Sequence, residues 1–369
     1  MLKYFIIAGE FSGDYHGGKL IKAIKAISKN SSFLGHGGDN MSSEGMEIIE
    51  HINKLSIMGF SEVLKHLPRI KKIFDKTIDL IKTSQPDRII LIDYPGFNLR
   101  IAKKIHHLGI PITYFILPQA WAWKERRVEG LKQYCTQLIS IFPFERDWFL
   151  KKGVKVQFFG HPFLDIKPIE TSKRKLFTKH GFDIKKPILL LFPGSRQQEI
   201  NKHFPILIDT VTTVRSTIPE LQILVGQSPH TVMPKIPEDF RIEKNSKNAT
   251  IISTAALVAS GTATLECALA KLPIVVYYKF SFLTWIAVKA LVKVPFSSIV
   301  NLISNKEIVP ELLQKDMTSK KLSEKIIPLL NKNSKDRINM LNNFSSLSKS
   351  LGKTGVYNKI AKSIITQKS

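Results

Sequence analysis

Cysteine is almost absent from this chain. Cys135 and Cys267 are the only two in 369 residues, and neither has a CxxC partner. That speaks against a disulfide framework or a zinc-ribbon spacing, and a reducing, cytoplasmic setting is expected. Both read as small core residues rather than nucleophiles. Acidic side chains are also scarce, 30 against 55 Lys and Arg, for a formal net charge of +25. Long apolar runs are missing: no uncharged stretch reaches the roughly 18–20 residues that a transmembrane helix needs. The amino-terminal apolar run is too short for a signal peptide, and it meets Glu10 and Asp14 where small cleavage-site residues would stand. GxGxxG does not occur, so a dinucleotide fold has little support. Nor is there an RNP-type aromatic motif, a zinc-finger spacing or an arginine-rich arm, and no nucleic-acid partner is expected. His16, His36, His161 and His203 lack metal-ligand spacing, so no metal site is expected.

What is present is a globular composition, 43% hydrophobic, in a chain long enough for about two domains. The lysines are scattered rather than gathered in a tail. Charge of this sign alone suits nucleic acid, an anionic membrane surface or a phosphorylated substrate, and the missing motifs argue against the first. Buried strands are predicted at Lys3–Ala8, Arg88–Asp93, Ile110–Ile116, Gln137–Phe142 and Lys155–Phe159, with helices between them at Tyr15–Ser28, Ser61–Thr83 and Asn98–His107. A proline-bearing linker follows at Pro162–Ser172, and the pattern restarts with strands at Pro187–Phe192, Leu221–Val225, Ala256–Ala259 and Pro273–Tyr278. Alternating strands and helices predict parallel sheets covered on both faces, hence an α/β class with two doubly wound domains. The divisions are placed at residues 1–165, 166–345 and a helical carboxyl-terminal segment, 346–369, that packs back on the first domain.

Three stretches carry chemistry. Gly9-Glu10-Phe11-Ser12-Gly13-Asp14 follows the first strand, at the end where open α/β sheets bind ligands, and its glycines permit a tight turn. Asp93 closes a hydrophobic strand before Tyr94-Pro95-Gly96-Phe97-Asn98, a position suited to a general base and equally to a turn or helix cap. In the second half, Gly194-Ser195-Arg196 and Ser260-Gly261-Thr262-Ala263-Thr264 each feed a helix at a strand end. Free N–H groups at a helix start make an anion site, Arg196 can grip a phosphate through two donors, and Glu266 is placed to accept from ribose hydroxyls. No GK[ST] follows either turn, so neither is a P-loop. The alternative for each is a well-capped helix.

Taken in order, these motifs resemble the lipid-A-disaccharide synthase family. The resemblance also rests on Pro118-Gln119-Ala120-Trp121-Ala122-Trp123, Gly160-His161-Pro162, Leu191-Phe192 ahead of Pro193, and Val309-Pro310-Glu311-Leu312-Leu313-Gln314, and it spans nearly the whole chain. It implies a GT-B fold, two Rossmann-like domains facing a cleft, and an inverting glycosyltransferase. The implied donor is UDP-2,3-diacylglucosamine and the acceptor 2,3-diacylglucosamine 1-phosphate (lipid X). The products are a β-1,6-linked disaccharide 1-phosphate and UDP, and no metal or other cofactor is required. Asp93 and Arg196 are the implied catalytic residues. Glu10, Ser12, Gly13, Asp14, Asn98 and Gln119 line the acceptor side. Gly194, Ser195, Arg196, Ser260, Gly261, Thr262, Ala263, Thr264 and Glu266 bind UDP.

Two acylated substrates suit a basic protein lying on the cytoplasmic side of a Gram-negative-type inner membrane, with a homodimer as a further expectation. Met58, Phe60, Val63, Leu64 and Leu67 fall near one another on a helical surface flanked by Lys65, Arg69, Lys71 and Lys72, which fits an interfacial helix. A core-facing amphipathic helix has the same pattern, and Phe280–Val294 shares the ambiguity. Rival functions are a UDP-N-acetylglucosamine epimerase of the same architecture and, from charge alone, a nucleic-acid binder.

Overall fold

The computed structural model describes residues 1–55, 60–166, 171–229, 231–281, 285 and 294–367, with residues 60–67 in backbone only. The chain forms two compact units, Met1–Ile166 with Leu351–Ser369, and Lys167–Ser350. The first unit therefore takes its last helix from the far end of the sequence.

In the first unit the strands are β1 (Leu2–Ala8), β2 (Ser31–Gly37), β3 (Glu47–His51), β4 (Arg88–Ile92), β5 (Ile112–Phe115), β6 (Gln137–Ser140) and β7 (Gln157–Phe158). The helices among them are α1 (Phe11–Ile27), α2 (Asp39–Ser43), α3 (Ile52–Leu55), α4 (Phe60–Ser84), α5 (Pro95–Ile105), α6 (Arg127–Tyr134) and α7 (Pro143–Leu150). The strands pair in parallel in the order β3-β2-β1-β4-β5-β6-β7. Successive residues of the central strands feed opposite cores. Phe5, Ile7, Ile89 and Leu91 join one cluster with Phe97 and Ile101 of α5. Tyr4, Ile6, Ile90 and Ile92 join the other, with Leu20 and Ile24 of α1. Burial on both faces explains why these strands read as unbroken apolar runs.

The second unit comprises α8 (Lys173–His180), β8 (Ile188–Phe192), α9 (Gln197–Arg215), β9 (Gln222–Gly226), β10 (Arg241–Glu243), α10 (Ser246–Ile252), β11 (Ala255–Ala259), α11 (Thr262–Leu269), β12 (Ile274–Tyr278), α12 (Ile299–Ser304), β13 (Glu311–Leu313), α13 (Ser319–Leu330) and α14 (Lys335–Ser350). Its strand order, β10-β9-β8-β11-β12-β13, repeats that of the first sheet without the seventh, edge strand. In each sheet the order reverses between the first strand and the fourth. Such a switch point opens a crevice at the strands' carboxyl ends, where doubly wound sheets bind ligands. The first switch point lies between the ends of β1 and β4, where Glu10 and Asp93 stand. The second lies between the ends of β8 and β11, which carry Gly194–Arg196 and Ser260–Thr264.

The last helix, α15 (Val356–Thr366), lies against α1 in the first unit. Asp165 accepts from the backbone N–H groups of Gly355 and Tyr357 at 2.6 and 3.0 Å and so holds the start of α15. Tyr357 Oη is 2.7 Å from His16 Nδ1. Burial pushes His16 down to about 4 and His161 down to about 3, so both are neutral structural partners at physiological pH.

Met58 lies outside the described residues, and so do the side chains of Phe60, Val63, Leu64 and Leu67 and most of Phe280–Val294. From Pro68 onward α4 turns Ile73, Thr77 and Ile81 inward, while Arg69, Lys71, Lys72 and Lys76 are exposed. This part of the helix is core-facing and amphipathic. Among the described residues no helix is long and apolar enough to cross a membrane.

Candidate functional site: two strand-end centres

At the first centre the backbone does the positioning. Asp93 and Tyr94 both adopt left-handed conformations, φ +47° each, between β4 and α5. Two adjacent non-glycine residues in that region are strained, and such turns collect at functional sites. Several groups hold the strain in place. Asn98, fully buried, donates from Nδ2 to the carbonyl of Asp93 at 2.8 Å, and Tyr114 Oη donates to the same oxygen at 2.6 Å. Tyr94 Oη donates to the carbonyl of Leu55 at 2.9 Å. The Tyr94 ring leaves no room beside β1, since a Cβ on Gly9 would come within 2.3 Å of it. The glycine that opens the first motif is thus required by the aromatic of the second.

Asp93 is largely withdrawn from water, and burial lifts its carboxyl to about 6. The neighbouring Glu10 charge adds to the rise, while the Tyr94 backbone N–H and the Arg127 guanidinium oppose it. A carboxylate with that value is ionised at neutral pH yet binds a proton readily, which a general base requires. Beside it lies Glu145, fully buried and pushed up to about 7 by burial. Its Oε1 accepts from Trp121 Nε1 at 2.9 Å and its Oε2 from the backbone of Phe142 at 3.3 Å, so the loop after β5 is tied to the start of α7. Gln119 is exposed on that loop, and its carbonyl accepts from the N–H groups of Ala122 and Trp123.

The expected acceptor residues divide. Glu10, Asp93 and Asn98 converge. Ser12 is exposed on the first turn of α1. Gly13 packs against Ala8, where a Cβ would meet the Ala8 Cβ at 3.2 Å. Asp14 serves another purpose. Its carboxylate accepts from the N–H groups of Gly38, Asn40 and Met41 at 2.7, 3.0 and 3.1 Å, and from Asn40 Nδ2 at 2.8 Å. Both of its oxygens are thereby engaged at the start of α2.

At the second centre the first glycine turn is already filled. Glu199 Oε2 accepts from the N–H groups of Ser195 and Arg196 at 2.9 and 3.3 Å, and Oε1 accepts from Tyr278 Oη at 2.7 Å. The amides expected to be open to an anion therefore face an internal carboxylate. Gly194, at φ +138°, leaves space for it, because a Cβ there would lie 2.6 Å from Glu199. Arg196 remains exposed, with Nη1 3.5 Å from Glu199 Oε1. The second turn is open. Among the described residues α11 begins without a side-chain cap, and a Cβ at Gly261 would meet nothing within 4 Å. Ser260 Oγ donates to the carbonyl of Ser297 at 2.9 Å, and Thr264 Oγ1 donates to the carbonyl of Gly261 at 2.7 Å. Thr262 is exposed and Ala263 half-buried on the first turn. Glu266 Oε1 accepts from Ser246 Oγ at 2.8 Å, and burial raises its carboxyl.

The sequence reading missed Arg127, Glu145, Glu199 and Glu311. Glu199 and Glu145 each stand three residues after a helix cap and accept from the cap's backbone N–H, but the caps, Arg196 and Phe142, lack the Ser or Thr that makes a capping box readable in sequence. Glu311 accepts from the N–H groups of Ser297 and Ser298 at 2.7 and 3.0 Å, which ties β13 to the segment that meets Ser260. Among the described residues no group of three His, Cys, Asp or Glu side chains is placed to hold a metal ion.

Comparison with known proteins agrees with this geometry. Crystal structures of similar architecture include UDP-GlcNAc 2-epimerase from Neisseria meningitidis (TM-score 0.66, 10% identity, 99% of this chain and 100% of that one). A calicheamicin glycosyltransferase gives a TM-score of 0.59 at 14% identity over 99% and 98% of the two chains. These show the two-domain GT-B fold and no more. Sequence relatives go further. The lipid-A-disaccharide synthase of Myxococcus xanthus is 33% identical over 375 residues, covering 98% of this chain and 97% of the relative. Lipid-A-disaccharide synthase 1 of Legionella pneumophila (strain Philadelphia 1) is 37% identical over 361 residues, 94% of this chain and 92% of the relative. The family profile described as lipid-A-disaccharide synthetase matches residues 4–362. The epimerases share the fold alone, and the chain belongs to the lipid-A-disaccharide synthase family of glycosyltransferases.

Proposed function

We propose that this chain transfers 2,3-diacylglucosamine from its UDP ester to the 6-hydroxyl of lipid X, giving the β-1,6-linked disaccharide 1-phosphate and UDP. The observation that carries the reading is Asp93, a desolvated carboxylate of pKa about 6 in a strained turn at the first switch point. It takes the proton of the acceptor hydroxyl as that oxygen bonds to the anomeric carbon. The bond from that carbon to the diphosphate oxygen breaks with its electron pair on UDP, and attack from the opposite face inverts the centre. Arg196 and the uncapped start of α11 stabilise the charge growing on the diphosphate, where preorganised donors act most strongly. The open space over Gly261 lets a phosphate approach the backbone closely, and Glu266 holds the ribose. The filled turn at Gly194–Ser195 leaves Arg196 as that loop's contribution, with Gly194 and Ser195 shaping it through Glu199.

This mechanism uses no metal ion, because a guanidinium and helix amides supply the positive field. The exposed basic face of α4 supports docking on an anionic membrane, on the cytoplasmic side of the inner membrane where acylated substrates reside. Each basic residue near such a surface contributes about 1 kcal/mol. The test is incubation of the purified chain with UDP-2,3-diacylglucosamine and lipid X in detergent, with mass detection of the disaccharide and of UDP. Release of UDP with free diacylglucosamine and no disaccharide contradicts the reading.

A further inference from the structure

The acceptor carries a phosphate of its own, and a cation pair on Trp123, one member of which acts on Asp93, has no carboxylate partner among the described residues. We propose that Trp123, Lys124 and Arg127 form the binding site for the acceptor's 1-phosphate. The inference rests on the lipid X reading above and deepens it.

Trp123 stands in the loop between β5 and α6, 37% exposed. Lys124 Nζ lies 4.5 Å from the centroid of its ring and Arg127 Cζ 5.0 Å. Two cations thus rest on one aromatic. A ring attracts cations but does not neutralise them, so both remain available to an anion. Among the described residues neither forms an ion pair with a carboxylate, for the acid between them, Glu125, is paired with Lys152. Lys124 also holds a left-handed backbone, φ +55°, as Asp93 does. Strain at a non-glycine residue persists where its surroundings impose it, commonly at ligand clamps.

Position supplies the second argument. β5 is the immediate neighbour of β4 in the sheet, so the loop after β5 opens beside the turn that carries Asp93. The half-buried Arg127 is near enough for its charge to favour the ionised form of Asp93. A sugar whose 6-hydroxyl meets Asp93 carries its anomeric substituent on the carbon just across the ring oxygen, so the phosphate also falls close to this centre. A phosphate monoester there carries close to two negative charges, matching one Lys and one Arg, and the guanidinium fork can hold two of its oxygens in parallel. The same pair disfavours an acceptor without the phosphate, since nothing then balances the half-buried Arg127, whose charge burial already penalises.

The test compares two acceptors in detergent micelles at pH 8, lipid X and 2,3-diacylglucosamine without the phosphate. At that pH Asp93 is ionised with or without Arg127, so the readout is the ratio of kcat/KM values for the two acceptors. Wild type is expected to prefer lipid X by about a hundredfold or more, the scale set by leaving buried polar groups unpaired. Lys124→Gln with Arg127→Gln should bring the ratio to within about threefold of unity, whereas the charge-conserving pair Lys124→Arg with Arg127→Lys should keep most of it. A Gln pair that slows both acceptors in equal proportion overturns the proposal. So does a Gln pair that keeps the preference and instead loses sedimentation with vesicles of anionic phospholipid. A wild-type protein active on both acceptors without preference overturns the proposal and leaves the glycosyltransferase reading standing. One that forms no disaccharide from either overturns both.

Discussion

Asp93→Asn separates catalysis from stability, because the two respond to this carboxylate with opposite sign. Burial, with help from Glu10, raises Asp93 from 3.8 to about 6. Two units at about 1.4 kcal/mol each make the ionised carboxylate unfavourable to the folded state by about 3 kcal/mol at most. The pH dependence follows from which state holds the proton. Below about pH 4 folded and unfolded chains are both protonated and the cost is absent. Between pH 4 and about 6 only the unfolded chain ionises freely, so folding stability falls as pH rises, and above that the full cost applies. Asn has the same shape, carries no charge and tolerates the left-handed backbone at this position. The variant should therefore melt above wild type at pH 8, by on the order of 5 °C, with the gap closing toward pH 4. Turnover should fall by at least ~10²-fold, as expected for loss of a general base. Calorimetry across that pH range and initial rates at pH 8 read the two effects. Near-native turnover in the Asn variant would refute the assignment and make Glu10 the better base. A lower melting point at pH 8 would refute the desolvation argument even if activity were lost.

Glu10→Gln removes a negative charge that holds the proton on Asp93, so the acid limb of kcat/KM, centred near pH 6 in wild type, should move to lower pH; an unmoved limb means that Glu10 lies too far away to act. Arg196→Ala should lower kcat by about 10²- to 10³-fold, the usual cost of removing one donor aimed at transition-state charge. A change confined to the donor KM would place Arg196 in ground-state binding instead. Asp14→Ala leaves three backbone N–H groups at the start of α2 without their acceptor, and should cost about 3 kcal/mol or more, seen as a melting drop of several degrees. Lost activity with unchanged melting would put Asp14 back in the site.

Much of this was legible because the chemistry sits where the sequence changes character. An apolar strand ending abruptly before Asp93, or before Gly194, marks the carboxyl edge of a parallel sheet, and that boundary is what points to both candidate centres. Several strands were not. β2 reads Ser-Ser-Phe-Leu-Gly-His-Gly, too polar and glycine-rich for a buried strand. Gly35 is nonetheless required there: at φ +140° its backbone passes the Ile6 carbonyl so closely that a Cβ would lie 2.0 Å from that oxygen. β3, β10 and β13 are short edge strands of three to five residues whose pairing comes from the sheet rather than from local pattern. Within the sites, residue type did not reveal direction. Asp14 and Glu10 share one motif, yet one helical turn sends Asp14 to the start of α2 while Glu10 stays beside Asp93. Glu199 was hidden for the opposite reason. A helix start looks like an open anion site until its own third residue is seen to reach back and fill it.

The central claim is an inverting transfer in which Asp93 supplies the base and the protein's own cations carry the leaving diphosphate. The most direct measurement is the anomeric configuration of the disaccharide that wild-type protein forms from UDP-2,3-diacylglucosamine and lipid X in the presence of EDTA, read by proton NMR of the new glycosidic linkage. The account predicts a β-1,6 linkage formed at the rate seen without EDTA. An α linkage, or loss of product when divalent ions are chelated, would contradict it.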